Sequence, residues 1–282
     1  MLHRADSANF ANSVRGFVKI LFVGDIFGSA GRRIVAEHIG HVREAHAVDL
    51  TVINAENAAG GFGVTPGIAD DLFDLGADVL TTGNHVWDKK ELIEYLNSVQ
   101  AGSQERPRRV IRPINYYPGV PGFGVFEGVT AGGVPYAVVN LMGKVFMGGT
   151  EDPFRAIDEA LRNISAKVIV VDFHAEATSE KVAMGWHLDG RVTAVLGTHT
   201  HIPTADERVL PGGTAYQTDV GMSGPYDSVI GVETGLVLHR FRTGMPGKFE
   251  AAKGNPKMCA ALIGCDAATG RATSIQRIML GE

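Results

Sequence analysis

Short apolar runs recur along the chain from Phe17 onward, each ending in polar residues that can hold a metal or a phosphate. They are Val18 to Val23 before Gly24-Asp25, Leu50 to Ile53 before Asn54-Ala55-Glu56-Asn57, and Val79-Leu80 before Gly83-Asn84-His85. Val168 to Val171 before His174, and Val192 to Leu196 before Gly197-Thr198-His199-Thr200-His201, follow the same plan. Continuous, short and β-branched, such runs predict strands buried on both faces. Helical spacing fills most of the intervals. Ile34, Val35, His38, Ile39 and Val42 predict a helix over 29–45, and Thr65-Pro66 reads as a cap followed by proline at the first helical position. Asp88-Lys89-Lys90-Glu91 reads as a capping box before Leu92, Ile93 and Leu96. Asp152-Pro153 opens a helix to Leu161, and Ser179 opens one reaching about Trp186.

Elsewhere the pattern turns antiparallel. Gly124 to Thr130 and Val134 to Asn140 flank Ala131-Gly132-Gly133, and Val209-Leu210 and Ala215-Tyr216 flank Pro211-Gly212-Gly213, each predicting a hairpin. Lys248 to Leu280 reads as two or three strands with turns near Gly254 and Gly270. The expectation is an α/β protein in which two mixed sheets pack together with helices outside. Residues 1–16 carry no continuous apolar stretch and read as a disordered arm rather than a secretory signal. Residues 17–282 read as one domain, because the polar loop from Gln100 to Arg109 and the Pro/Gly-rich stretch from Tyr116 to Gly124 are short for linkers.

Charge narrows the partners. The 282 residues include 26 Lys plus Arg against 31 Asp plus Glu, a formal charge of −5. That balance disfavours duplex nucleic acid, which is bound through a cationic face, but admits a small phosphorylated molecule. With no apolar stretch of about 18 residues, no membrane partner is expected. The two cysteines, Cys259 and Cys265, fit a reduced, cytoplasmic protein.

Ligands of open α/β sheets bind beyond the carboxyl ends of strands, where Asp25, Glu56, Asn57, Asn84, His85, His174, His199 and His201 all fall. Each has a plainer reading. Asp25 could cap the helix after it, Asn54, Asn57 and Asn84 could make turns, and His174 alone decides nothing. His38, His41, His46, His187 and His239 follow no strand end and belong to surface or core. Gly60-Gly61-Phe62-Gly63 lacks a phosphate-loop pattern and reads as a flexible loop, and Asp88 reads as a helix cap. Together, however, clustered carboxylates and imidazoles call for a compensating charge. Their donors suit manganese, iron or zinc better than magnesium. They also outnumber the ligands of one ion, so two ions about 3.5–4 Å apart are expected, with Glu56 as the bridge. Such a pair attracts a phosphodiester and acidifies water toward a pKa of roughly 7.

Asp25, Gly83-Asn84-His85, His174 and Gly197-Thr198-His199-Thr200-His201 resemble, in order and spacing, the blocks of the calcineurin-like metallophosphoesterase superfamily. Two departures stand out: Asp25-Ile26-Phe27 replaces the usual Asp-x-His, and Glu56-Asn57 replaces a bridging Asp. With them, the blocks at 54–59, 83–90, 172–181 and 218–227 resemble the YmdB-like branch of bacterial phosphodiesterases. The resemblance implies a four-layer α/β/β/α sandwich and a dinuclear centre of divalent or mixed-valence ions, often iron or manganese. It also implies hydrolysis of phosphodiesters, including 2′,3′-cyclic nucleotides, by metal-bound hydroxide. Carried over by residue, Asp25, Asn57 and His201 would bind one ion, Asn84, His174 and His199 the other, with Glu56 between them. His85 would be catalytic, protonating the leaving alkoxide. The resemblance also admits a homo-oligomer and an alternative role, a regulatory protein that holds a nucleotide at the metals with slow or no turnover.

Overall fold

The computed structural model describes residues 16–99 and 105–281. The arm expected over 1–16 therefore lies, apart from Gly16, outside the described residues, as does 100–104 of the polar loop.

Each apolar run forms a strand. In the first sheet β1 (Phe17–Val23) runs parallel to β2 (Leu50–Asn54), and β2 parallel to β3 (Val79–Thr81). On its other side β1 pairs antiparallel with the C-terminal strand β11 (Pro256–Asp266). Strand β11 in turn pairs with β12 (Ala272–Gly281) and the short β10 (Gly224–Pro225). The second sheet has a parallel centre, β5 (Pro135–Met142), β6 (Val168–His174), β7 (Ala194–Thr198) and β9 (Ala215–Gln217). Antiparallel β4 (Val125–Val129) and β8 (Arg208–Val209) close its edges through the two expected hairpins.

Period-two alternation divides the core into layers. On β1, Val18, Ile20 and Phe22 face the other sheet and meet Val138, Val168 and Val170, while Leu21 and Val23 face outward. There they pack on Ile34, Val35 and Ile39 of α1 (Gly28–His46), beside α2 (Pro66–Asp74) and α3 (Lys90–Asn97). On the far side Val171 and Phe173 pack on Ile157 of α4 (Pro153–Leu161) and on Met184 and Leu188 of α5 (Thr178–Leu188). Each fully buried side chain of this kind contributes about 1.5–3 kcal/mol, so three stacked layers of them fix the α/β/β/α order. This is the four-layer arrangement expected from the sequence.

The caps divide. Thr65 Oγ1 accepts from the Ile68 N–H at 3.4 Å, and Asp152 caps α4 through the Phe154 and Arg155 N–H groups. The capping box expected at Asp88 is absent: α3 begins one residue later, its first flanking residue is Lys89, and no side chain caps it. Asp88 is drawn instead to a histidine, as described below. A helix the sequence pattern did not announce, α6 (Thr234–Thr243), buries none of its residues, so it carries no apolar stripe to read. Among the described residues no helix is long and apolar enough to cross a membrane.

Candidate metal centre

Parallel pairing brings the carboxyl ends of β1, β2, β3, β6 and β7 to one rim, and buried polar side chains lace the two sheets together there. Asn54 at the end of β2 donates from Nδ2 to Asp172 Oδ2 at 2.9 Å on β6, and Thr198 Oγ1 on β7 donates to Asp172 Oδ1 at 2.7 Å. Asn54 Oδ1 accepts from the Glu56 N–H, so this asparagine makes the turn that presents Glu56 and stands apart from the candidate ligands.

On this frame the predicted residues converge. Glu56 Oε1 accepts from the His85 N–H at 2.8 Å, while Glu56 Oε2 lies 2.5 Å from His174 Nε2. His174 Nε2 is 3.0 Å from both Asn84 Oδ1 and His199 Nδ1. One donor atom each from Glu56, His174 and His199 falls within 4.8 Å of the others. Asp25, fully buried after β1, accepts from the His199 N–H with both oxygens at 3.3 Å. Asn57 Nδ2 lies 2.9 Å from His201 Nε2. His85 stands on the rim, its Nδ1 2.8 Å from Asp88 Oδ2.

The backbone is shaped for this crowding. A side chain on Gly83 would run into the ring of His174, which is why glycine precedes Asn84-His85. His199 and His201 have φ of 97° and 67°, values that non-glycine residues rarely adopt. Strain of this kind persists where surrounding structure enforces it, and it concentrates at functional sites. Here the fully buried Lys181 donates from Nζ to the Thr198 carbonyl at 2.7 Å and to Asp219 Oδ2 at 2.6 Å. Asp219 Oδ2 accepts in turn from the Thr200 N–H and hydroxyl at 3.2 and 2.8 Å, so both peptides flanking His199 are held.

Electrostatics favour an added cation. Burial raises the Asp25 carboxyl well above its usual range, with Asp219, Glu56 and Asp172 adding to the rise and His174 opposing it. Burial also pushes Glu56 up, but the charge and contact of His174, with the His85 N–H, hold it at about 2. Burial and then His174 push His199 down to about 3, and burial lowers His201, whose Nδ1 sits 2.8 Å from the Ile230 carbonyl. Neutral His199 and His201 and an ionised Glu56 are the forms that ligate metals, whereas His174, which burial pushes down, is raised on balance by Glu56 and Asp25. Among the described residues Asn57 Oδ1 is buried without a hydrogen-bond partner, and Glu56 Oε2 is buried against His174 Nε2. Unsatisfied buried oxygens are costly, and a divalent cation is the partner such an acceptor-rich set takes. The residues present therefore fit a metal centre.

Beside it opens a cleft of about 250 Å³, lined by His85, Asn57, His199 and His201 together with Phe27, Phe62, Ile230, Val232 and Phe249. A larger cleft of about 600 Å³, near Asp158, Arg162 and Lys167, lies at the opposite end of β6 and β7 and contains none of the predicted residues. His187 is in ion-pair contact with Asp158 there, a surface role as expected.

Several residues of the site escaped the sequence reading. Asp88, read as a cap, partners His85, and Glu176 Oε2 stands 3.2 Å from His199 Nε2. Carboxylates that fix a histidine in this way orient it and set its tautomer. Phe27, in the place of the superfamily's imidazole, packs edge-on against His201 with ring centres 5.5 Å apart. For Asp88 and Glu176 the sequence signal is their position beside predicted residues, and for Phe27 it is the departure from the usual Asp-x-His.

The family model of the YmdB-like protein matches residues 21–278. Over 267 residues the chain is 43% identical to a 2′,3′-cyclic-nucleotide 2′-phosphodiesterase of Bacillus subtilis (strain 168), spanning 94% of this chain and 98% of the relative. A hypothetical protein from Thermus thermophilus has a solved structure that superposes with a TM-score of 0.86 at 42% identity, over 94% of this chain and 100% of that one. A phosphatase from Mycoplasma pneumoniae superposes with a TM-score of 0.87 at 32% identity, over 94% of each chain. Because the match runs from within β1 to within β12 and takes in every strand that feeds the rim, the chain belongs to the YmdB-like family.

Proposed function

We propose that the protein is a metal-dependent phosphodiesterase that uses two ions, iron or manganese, to open 2′,3′-cyclic nucleotides. The observation that carries this reading is the convergence of Glu56, His174 and His199, with one donor atom each within 4.8 Å of the others, beside the buried and unpartnered Asn57 Oδ1. The activity of the Bacillus subtilis relative supplies the substrate class. When bound, the ions would withdraw charge from the phosphate and acidify a water to make the nucleophile.

The chain's own side chains divide the remaining work. Asn84, His174 and His199 would hold one ion and Asp25, Asn57 and His201 the other, with Glu56 shared between them. His85 faces the cleft with Nδ1 engaged by Asp88, so its other ring nitrogen is free to deliver a proton to the departing ribose oxygen. With water added across the 2′ ester bond, the product is the nucleoside 3′-phosphate. Cys259 and Cys265, both buried and unpaired, support a reducing, cytoplasmic setting.

Elemental analysis of protein purified without chelator, paired with hydrolysis of 2′,3′-cyclic AMP, tests the reading. We expect two iron or manganese ions per chain, loss of hydrolysis after chelation and its return on adding manganese. Full hydrolysis by metal-free protein would overturn it.

A further inference from the structure

We propose that Phe62 and Phe249 form a stacking platform for the nucleobase of the substrate, making the enzyme selective for cyclic mononucleotides over diesters without a base. The proposal rests on the phosphodiesterase reading above and adds the part of the substrate that the metal centre does not address.

Phosphate and ribose are polar, and the histidines of the cleft are sufficient for them. The apolar part of the lining, Phe27, Phe62, Ile230, Val232 and Phe249, has no use in hydrolysis itself. Phe27 is committed elsewhere, being 3% exposed and packed on His201. Phe62 and Phe249 are only partly buried, and their ring centres lie 4.2 Å apart. Phe62 is also 4.8 Å from the ring of His85, which places the aromatic surface directly beside the proposed proton donor. A flat, apolar ligand part held there stays attached to a phosphate at the metals.

Both rings are held by their backbones. Gly60, Gly61 and Gly63 all have positive φ, and a side chain on Gly61 would collide with the rings of Phe249 and Phe27. The loop closes through Ala59 N–H to Gly63 O at 2.9 Å and is tied to the candidate ligand Asn57 through Gly61 N–H to Asn57 O at 3.0 Å. The sequence Gly60-Gly61-Phe62-Gly63 is therefore an aromatic presented on a fixed turn rather than a flexible loop. Phe249 comes from the segment after α6, which is anchored by Glu233 N–H to Glu250 O at 3.0 Å and Ala252 N–H to Gly231 O at 2.9 Å.

The lining also favours a small ligand. Among the described residues no lysine or arginine lines the cleft, so it offers no counter-charge for the added phosphates of an oligonucleotide. Its volume, about 250 Å³, is close to the lower end of the usual range of about 300–1,000 Å³ for small-molecule pockets. Base–aromatic stacking contributes about 1–3 kcal/mol per base and tolerates any base, because each has a π face.

The test compares 2′,3′-cyclic AMP with methyl riboside 2′,3′-cyclic phosphate, which keeps the ring ester and lacks the base. Phe62→Leu and Phe249→Leu retain apolar bulk and lose the π face, and Phe62→Tyr restores it. We expect each leucine variant to raise KM for 2′,3′-cyclic AMP at least about fivefold. Its kcat on that substrate, and both constants on the base-free ester, should stay within about twofold, and Phe62→Tyr should behave as the wild type. Equal changes on the two substrates, or an unchanged KM for cyclic AMP, would overturn the platform. Equilibrium binding of adenosine 3′-phosphate, measured in parallel, should weaken by the same factor in the leucine variants. That loss with no turnover by the wild type would support the platform while sinking the catalytic reading.

Discussion

At the scale of single residues, the pair His85 and Asp88 carries the sharpest consequence. Their contact at 2.8 Å is on the rim, with side chains 29% and 43% exposed, so its value lies in orientation rather than stability. General acid catalysis contributes typically about 10²–10⁴-fold, so His85→Ala should lower kcat by about that factor with metal content unchanged. Asp88→Asn should lower kcat less, because the imidazole remains and only its orientation loosens. Steady-state kinetics with metal analysis of the same preparations checks both, and a His85→Ala enzyme of undiminished kcat would remove the proposed acid. The sequence reading put His85 at the rim, where it stands, and misread its partner Asp88 for a physical reason. An aspartate just ahead of an amphipathic run is a helix-cap signal, and only folding reveals that the preceding turn points it at His85 instead. Asn54 shows the converse: its turn-forming reading was the local one, and the structure agrees with it.

At the scale of elements, the strands were legible and the last helix was not, for the same reason. Strands buried between layers must be largely apolar, and that pattern is written in 18–23, 50–53 and 168–171, broken only by Lys19 and Thr51. Helix α6 buries nothing, so no periodicity records it. Also illegible was the clamp between elements, in which α5 supplies Lys181 and the chain after β9 supplies Asp219. The pair is 1% exposed at each end, deep enough that losing one partner strands a charge. Removing one member of a buried pair costs about 3–5 kcal/mol, so Lys181→Met should lower the unfolding free energy by about that amount in urea denaturation. Because the clamp holds the peptides on both sides of the strained His199, the variant should also bind manganese more weakly, read by titration of metal-free protein. A variant as stable as the wild type, with the same affinity, would show that the histidine loop holds its shape unaided.

At the scale of the whole molecule, neither sheet carries the whole of the proposed ligand set. The first provides Asp25, Glu56, Asn57 and Asn84, and the second provides His174, His199 and His201. A ligand set divided in this way makes metal binding a bond between the two halves of the sandwich, so binding energy appears as folding energy. A one-site ligand present at 100 times its Kd stabilises the native state by about 2.7 kcal/mol, and two sites offer more. Manganese at that excess should therefore raise the unfolding free energy of metal-free wild type by at least about this amount. Removing a donor from either sheet, Asn84→Ala from the first or His174→Ala from the second, should cut the gain sharply, although the two residues lie on different β-layers. The comparison within each variant, with and without manganese, cancels whatever the substitution does to the metal-free fold. An undiminished manganese gain in His174→Ala would mean that the ion binds elsewhere and that the two sheets are held together by their apolar layer alone.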